Sequence, residues 1–97
     1  MSTIHRIVYD NSSQLSGISD ESVDLVVTSP PYPMVAMWDE MFGELDGNIS
    51  RQMQEGNYDD AFELMHKQLD TTWNSAFRVL KDGGIACINI GDSTRTF

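Results

Sequence analysis

Thr28-Ser29-Pro30-Pro31-Tyr32 follows directly on the apolar run Val23-Asp24-Leu25-Val26-Val27, and it groups the residue types with most chemical use in this chain. An exocyclic amino group on a nucleobase is a poor nucleophile, because its lone pair is delocalised into the ring. Two acceptors converging on its N–H bonds favour the pyramidal nitrogen of an attacking amine and so stabilise the transition state. Ser29 Oγ and the backbone carbonyl of Pro30 are suited to be those acceptors. Pro30 and Pro31 lack N–H groups and have fixed φ, so the turn is stiff and adds no competing donor. Tyr32 supplies a flat face on which an extruded base can stack, worth about 1–3 kcal/mol. The bland reading of Pro-Pro-Tyr is a rigid turn, or a short polyproline-like ligand for a recognition domain.

An element must hold these groups in place. A β-branched run that ends in prolines reads as a buried strand stopped at its C-terminal edge. In open α/β sheets that edge is where ligands bind. Asp24 to Tyr32 resembles the catalytic strand and loop of the amino-methylating DNA methyltransferases, which methylate exocyclic nitrogens with S-adenosylmethionine. Ser-Pro-Pro-Tyr in place of Asp-Pro-Pro-Tyr is most similar to the cytosine-N4 branch. Adenine N6 or an RNA base stays open, since nothing in the chain reads sequence context or sugar. The resemblance implies that Ser29 and the Pro30 carbonyl hold the target amino group, that Pro31 completes the catalytic turn, and that Tyr32 stacks on the flipped base. Ser29 and Tyr32 are thus the expected substrate contacts. In family members the strand before the catalytic one ends in an acidic residue that contacts the cofactor adenine. Asp10 matches that position, and Ser29 shares the cofactor side of the site. A turn or cap role for Asp10 is an equal alternative.

The remaining pattern predicts the scaffold. Ile4-His5-Arg6-Ile7-Val8-Tyr9 reads as a first strand, Ser12 to Ser16 as one helical turn closed by Gly17, and Ser19 to Ser22 as a polar turn. Apolar residues at Tyr58, Ala61, Phe62, Met65, Leu69, Trp73, Ala76, Phe77 and Leu80 recur in threes and fours, the spacing of an amphipathic helix. Asn57 or Asp59 can cap its start, and Lys81-Asp82-Gly83-Gly84 stops it. Ile85 to Ile90 reads as another buried strand, ended by Gly91-Asp92 at the same sheet edge as Ser29, where Asp92 lines the pocket or makes a turn. Arg78-Val79-Leu80-Lys81-Asp82-Gly83-Gly84 between helix and strand is also similar to the segment that follows the catalytic loop in these methyltransferases. The order is βαβαβ, which implies an α/β, partial Rossmann-like fold with a mostly parallel sheet. Met34, Met37, Trp38, Met41 and Phe42 form a stripe at helical spacing. A lid over the base or a partner surface is one use for it; packing against the domain's own core is the stronger expectation.

Composition limits the options. The 97 residues make one small domain, 1–97, with 40% hydrophobic and 22% charged content, ordinary for a soluble globular chain. No apolar stretch is long enough to span a bilayer and no secretory pattern opens the chain, so a reducing cytoplasmic setting is expected. Its one cysteine excludes an internal disulfide. His5, His66 and Cys87 make no metal-ligand cluster, and Cys87 is expected in the core of its strand. A formal net charge of −9, six basic residues against fifteen acidic, argues against this segment gripping a phosphate backbone by itself. Glu40, Glu44, Asp46 and Glu55 reinforce that, so DNA is expected to be bound through a complete enzyme.

The chain has no Gly-x-Gly after a strand, the loop expected to cradle the methionine part of the cofactor. The resemblance runs from Ile4 to Thr96 and covers only the opening part of a permuted methyltransferase. The expectation is an N-terminal catalytic segment, truncated or one half of a split enzyme. The Gly-rich cofactor-binding half and the target-recognition region then lie elsewhere. An unpaired sheet edge predicts a partner: that half, a companion subunit, or a second copy in a homodimer. The rival expectation is a non-catalytic docking or assembly module derived from such an enzyme.

Overall fold

A computed structural model describes residues 2–91. Two strands, β1 (Val23–Thr28) and β2 (Leu80–Ile88), pair in parallel as a two-stranded sheet. Between them run a 3-10 turn (Ala36–Trp38) and the helices α1 (Asp39–Leu45), α2 (Gly47–Gln54) and α3 (Tyr58–Val79). Parallel strands need a long crossover, and α3 supplies the return.

The 22 residues of α3 form the helix that the apolar spacing predicts, although Phe62 and Phe77 of that pattern are 42% and 83% exposed. Ala61, Met65 and Leu69 fall on one buried stripe, which Ser75 and Val79 continue. Asp59 and Asp60 sit in its first turn and Arg78 in its last, each favourable to the helix dipole. Asn57 occupies the N-cap without a side-chain capping bond; its amide donates to Gln52 Oε1 at 2.8 Å instead. At the other end Leu80 is extended and passes straight into β2.

The core lies among the helices rather than on the sheet. Met34, Phe42, Ile49, Met65 and Leu69 are its buried members, and Trp38, Met41, Met53, Tyr58, Leu64 and Trp73 pack around them. Most of the Met-rich stripe is therefore core, as the packing expectation held; Met37 alone of its five members stands out in solvent. Fully burying side chains such as Phe42 and Met65 stabilises by about 1.5–3 kcal/mol each. The sheet has no comparable cover. Leu25 is 53% exposed, Val27 72% and Ile85 60%. The radius of gyration, 15.8 Å, reflects that extended layout, since a compact domain of 100 residues has about 13 Å.

Five expectations are corrected. Ile4 to Tyr9 is no strand, and Ile4 and Tyr9 are 91% and 94% exposed. A strand persists only where a neighbour completes its hydrogen-bond ladder, and none does so here. Ser12 to Ser16 forms turns, not a helical turn of its own. The βαβαβ order therefore reduces, among the described residues, to one parallel β–helices–β unit of mixed α/β type. The two strands are not buried and Cys87 is exposed, because none of the described residues packs over the face that carries it. The second strand also starts earlier than expected, at Leu80, and stops at Ile88. No helix among the described residues is long and apolar enough to cross a membrane.

A bulge sets the strand register. Val23 pairs with Leu80, but Leu25 pairs with Ile85, and the ladder then runs evenly to Thr28 opposite Ile88. The extra β2 residues are absorbed at Lys81–Gly84, where Gly83 takes φ +79°. At Gly84 a Cβ would lie 2.9 Å from the Lys81 carbonyl oxygen and 3.3 Å from that of Asp24. Both glycines are thus required by the geometry of the stop, not merely tolerated.

Candidate active site

Thr28 ends β1 while its carbonyl still accepts from Asn89 N–H at 2.9 Å. Ser29 therefore emerges at the C-terminal end of a paired strand, with the β2 exit beside it. Pro30 is buried and Ser29 exposed, so the turn is anchored by one residue and presents the next. The Tyr32 carbonyl accepts from Val35 N–H at 3.2 Å, closing a turn with Pro33 and Met34 at its centre. Proline followed by a residue at positive φ is the type II combination. Met34 holds φ 69°, an unusual value for a bulky side chain. Its side chain is buried in the helical core, and that anchorage offsets the strain.

Within this loop Ser29 Oγ and Tyr32 Oη lie 3.0 Å apart and share a hydrogen bond. Gly91 backs on to the tyrosine ring: a Cβ there would stand 3.0 Å from Cε2 and 3.2 Å from Cδ2. The β2 exit thus reaches the site, as the shared sheet edge predicted. Asp92 lies outside the described residues.

An open cleft of about 570 Å³ runs beside the loop. Ser29, Pro30 and Pro31 form one wall with Thr28, and Asp10 to Gln14 form another. Gln68, Thr71, Thr72 and Trp73 of α3 make its floor, with Met41 and Leu45 of α1 at one side. Asp10, remote in sequence from Ser29, therefore shares a cleft with it. Tyr32 does not line this cleft; its ring sits at the β2 exit. Asp10 also serves its local turn, since its Oδ1 accepts from Asn11 N–H at 2.8 Å. The same side chain thus lines the cleft and holds its own turn.

The wall that carries Asp10 has no regular structure, and α3 holds it. Arg78 donates to four oxygens of the preceding loop: the carbonyls of Gln14 (3.1 Å), Leu15 (2.9 Å) and Ile18 (2.9 Å), and Asp20 Oδ1 (2.7 Å). Buried Ser75 donates to the Ser13 carbonyl at 2.5 Å. The loop returns two of its own N–H groups, Glu21 to the Arg78 carbonyl (2.9 Å) and Ser22 to that of Val79 (2.8 Å). A planar guanidinium with several fixed donors suits this clustering of carbonyls, where lysine would reach fewer. Sequence reasoning missed Arg78 and Ser75 as determinants of the site. A cation in the last helical turn is ordinary, and nothing local marks its partners some sixty residues away.

Among the described residues Asp10 is the cleft's one charged lining residue. Hydroxyl and amide groups, an indole and the side chains of Met41, Leu45 and Leu69 suit an adenosyl group, for whose amine Asp10 could be an acceptor. Among the described residues no basic side chain lines the cleft to receive the carboxylate of a methionine moiety. Among the described residues no group of histidine, cysteine and acidic side chains is placed to hold a metal ion. His66 instead stacks on Phe62, with ring centroids 4.4 Å apart.

The profile of a DNA methylase family, the N6/N4 methyltransferases, matches residues 23–97. The chain is 45% identical, over 98% of its length, to the type II methyltransferase M.MjaI of Methanocaldococcus jannaschii, of which it covers 35%. It is likewise 45% identical over 98% of its length to the type II methyltransferase M.MthZI of Methanothermobacter thermautotrophicus, of which it covers 27%. No solved structure matches. The chain belongs to the N6/N4 DNA methylase family, and it spans about a third of the length of these relatives.

The Arg78 clamp makes a direct prediction. Hydrogen bonds to a charged donor are worth about 1.5–3 kcal/mol each. Replacing Arg78 with Met should speed amide exchange at Ile18, whose N–H bonds to the Leu15 carbonyl, by roughly 10–100-fold. Amides of β1 should exchange as before. Equal protection at Ile18 in both proteins would show that the clamp does not hold the wall.

Proposed function

We propose that this chain is the catalytic-motif segment of a DNA methyltransferase that moves a methyl group from S-adenosylmethionine to a base amino group, cytosine N4. The observation that carries the reading is the meeting of Ser29, Pro30 and Pro31 with Asp10 on one cleft. Asp10 and Ser29 would face the cofactor. Ser29 Oγ and the Pro30 carbonyl would accept from the target amine, and Tyr32 would stack on the extruded base. When bound, S-adenosylmethionine supplies an electrophilic methyl group on sulfur. Ser29 and Pro30 bias the amine toward a pyramidal nitrogen whose lone pair is free to attack in line. Proximity and fixed acceptors then supply most of the acceleration, with no covalent enzyme intermediate.

Serine at the first position of the motif supports cytosine over adenine. The chain spans only about a third of its relatives' length, which supports a further segment that holds the methionine end of the cofactor and completes a Rossmann-like sheet. DNA would be gripped by a surface other than this one, given the net charge of −9. In the complete protein that carries this chain, Ser29→Ala should slow methyl transfer to DNA by about 10²–10³-fold. Tyr32→Ala should weaken use of the base by roughly 5–150-fold, the equivalent of one lost stacking contact. Wild-type turnover by Ser29→Ala would remove the basis of the proposal.

Exposed apolar side chains on the sheet favour a second reading alongside the first, that this segment docks a partner. Leu25, Val27, Ile85 and Ile88 stand uncovered on paired strands, and such surfaces associate. The chain alone should sediment as a dimer at high concentration and as a monomer on dilution. A monomer at every concentration would contradict self-association.

A further inference from the structure

Serine at the position where other family members carry aspartate poses a chemical problem. An ionised carboxylate only accepts hydrogen bonds, whereas a hydroxyl has one proton to donate and lone pairs to accept with. If Ser29 aims its proton at the target amine, donor meets donor and the acceptor is lost. The hydroxyl needs a partner that takes its proton elsewhere.

Tyr32 is placed to be that partner. Its Oη lies 3.0 Å from Ser29 Oγ, across a turn whose two prolines bring no N–H to compete. Gly91 lies close behind the ring, and a Cβ there would stand 3.0 Å from it, tighter than ordinary contact. The Tyr32–Val35 hydrogen bond and the buried Met34 side chain fix the loop on its far side. Ser29 and Tyr32 are thus both carried on backbone that has little freedom to separate them.

We infer that Tyr32 Oη accepts the Ser29 hydroxyl proton and so fixes Ser29 as an acceptor toward the target amino group. Tyr32 is then a positioning residue for Ser29 as well as a stacking face, and Gly91 is the small residue that lets its ring lie close. The catalytic consequence rests on the function proposed above; the hydrogen bond and the rotamer it selects do not.

Tyr32→Phe separates the two roles, because it keeps the ring and removes only the oxygen. In the isotope-labelled chain, the Ser29 Hα–Hβ couplings should report one staggered rotamer, and in Tyr32→Phe they should average. In the complete protein, Tyr32→Phe should lower kcat by about 2–10-fold, the worth of one neutral hydrogen bond, with KM for DNA unchanged. Couplings already averaged in the wild type, or unchanged in Tyr32→Phe, would overturn the inference. So would an effect of Tyr32→Phe confined to KM. A wild-type protein that transfers no methyl group would instead strike the proposed function, and the couplings would still decide whether the Tyr32 hydroxyl fixes the Ser29 rotamer.

Discussion

The parallel pairing of β1 with β2 is the constraint on which the rest depends. It places Ser29 one residue beyond the end of a paired strand and brings Gly91 of the other strand's exit against Tyr32. A parallel pair cannot close through a tight turn, so the chain must leave, pack and return. The outward path holds the proline loop and the short helices; the return is α3. Slip the register by one residue and every side chain on β1 changes face. The bulge at Lys81–Gly84 is what fits a helix end to that register, and it explains two adjacent glycines with different demands.

Stability and function occupy different parts of this chain. The buried side chains cluster among α1, α2 and α3, while the strands that present the candidate site are bare on their faces. Two devices connect the parts. Met34 roots the proline loop in the helical core at the cost of a positive φ. Arg78 and Ser75 fasten the Asp10 wall to α3 through carbonyl oxygens, a kind of contact that holds backbone without requiring any side-chain chemistry from the loop. The net charge of −9 argues against this surface gripping a phosphate backbone by itself.

What could be read in the sequence depended on whether a signal was local. The helix over Tyr58–Val79 was legible because apolar residues at threes and fours admit little else, whereas Gly83-Gly84, expected to stop it, lie inside β2 and shape its bulge. Ser29, Pro30 and Tyr32 stood out by chemical type and spacing. The strand expected at Ile4–Tyr9 was misjudged because alternation and β-branching describe a residue's preference, whereas a strand also needs a neighbour. Cys87 was expected in the core because Ile85–Ile90 looks like a buried strand, yet burial is decided by what packs on the sheet. Arg78 was invisible as a determinant because its partners are carbonyls, which every sequence has.

The central claim is that Ser29, Pro30 and Tyr32 act on the amino group of a cytosine. The most direct test is to incubate the complete protein carrying this chain with DNA and S-adenosylmethionine, then identify the modified nucleosides by mass spectrometry. The account predicts N4-methylcytosine, with the product lost in Ser29→Ala. A methyl group on adenine N6 would contradict the base assignment while leaving the amino-group chemistry in place. A methyl group on a ring carbon, or none on DNA at all, would contradict the account as a whole.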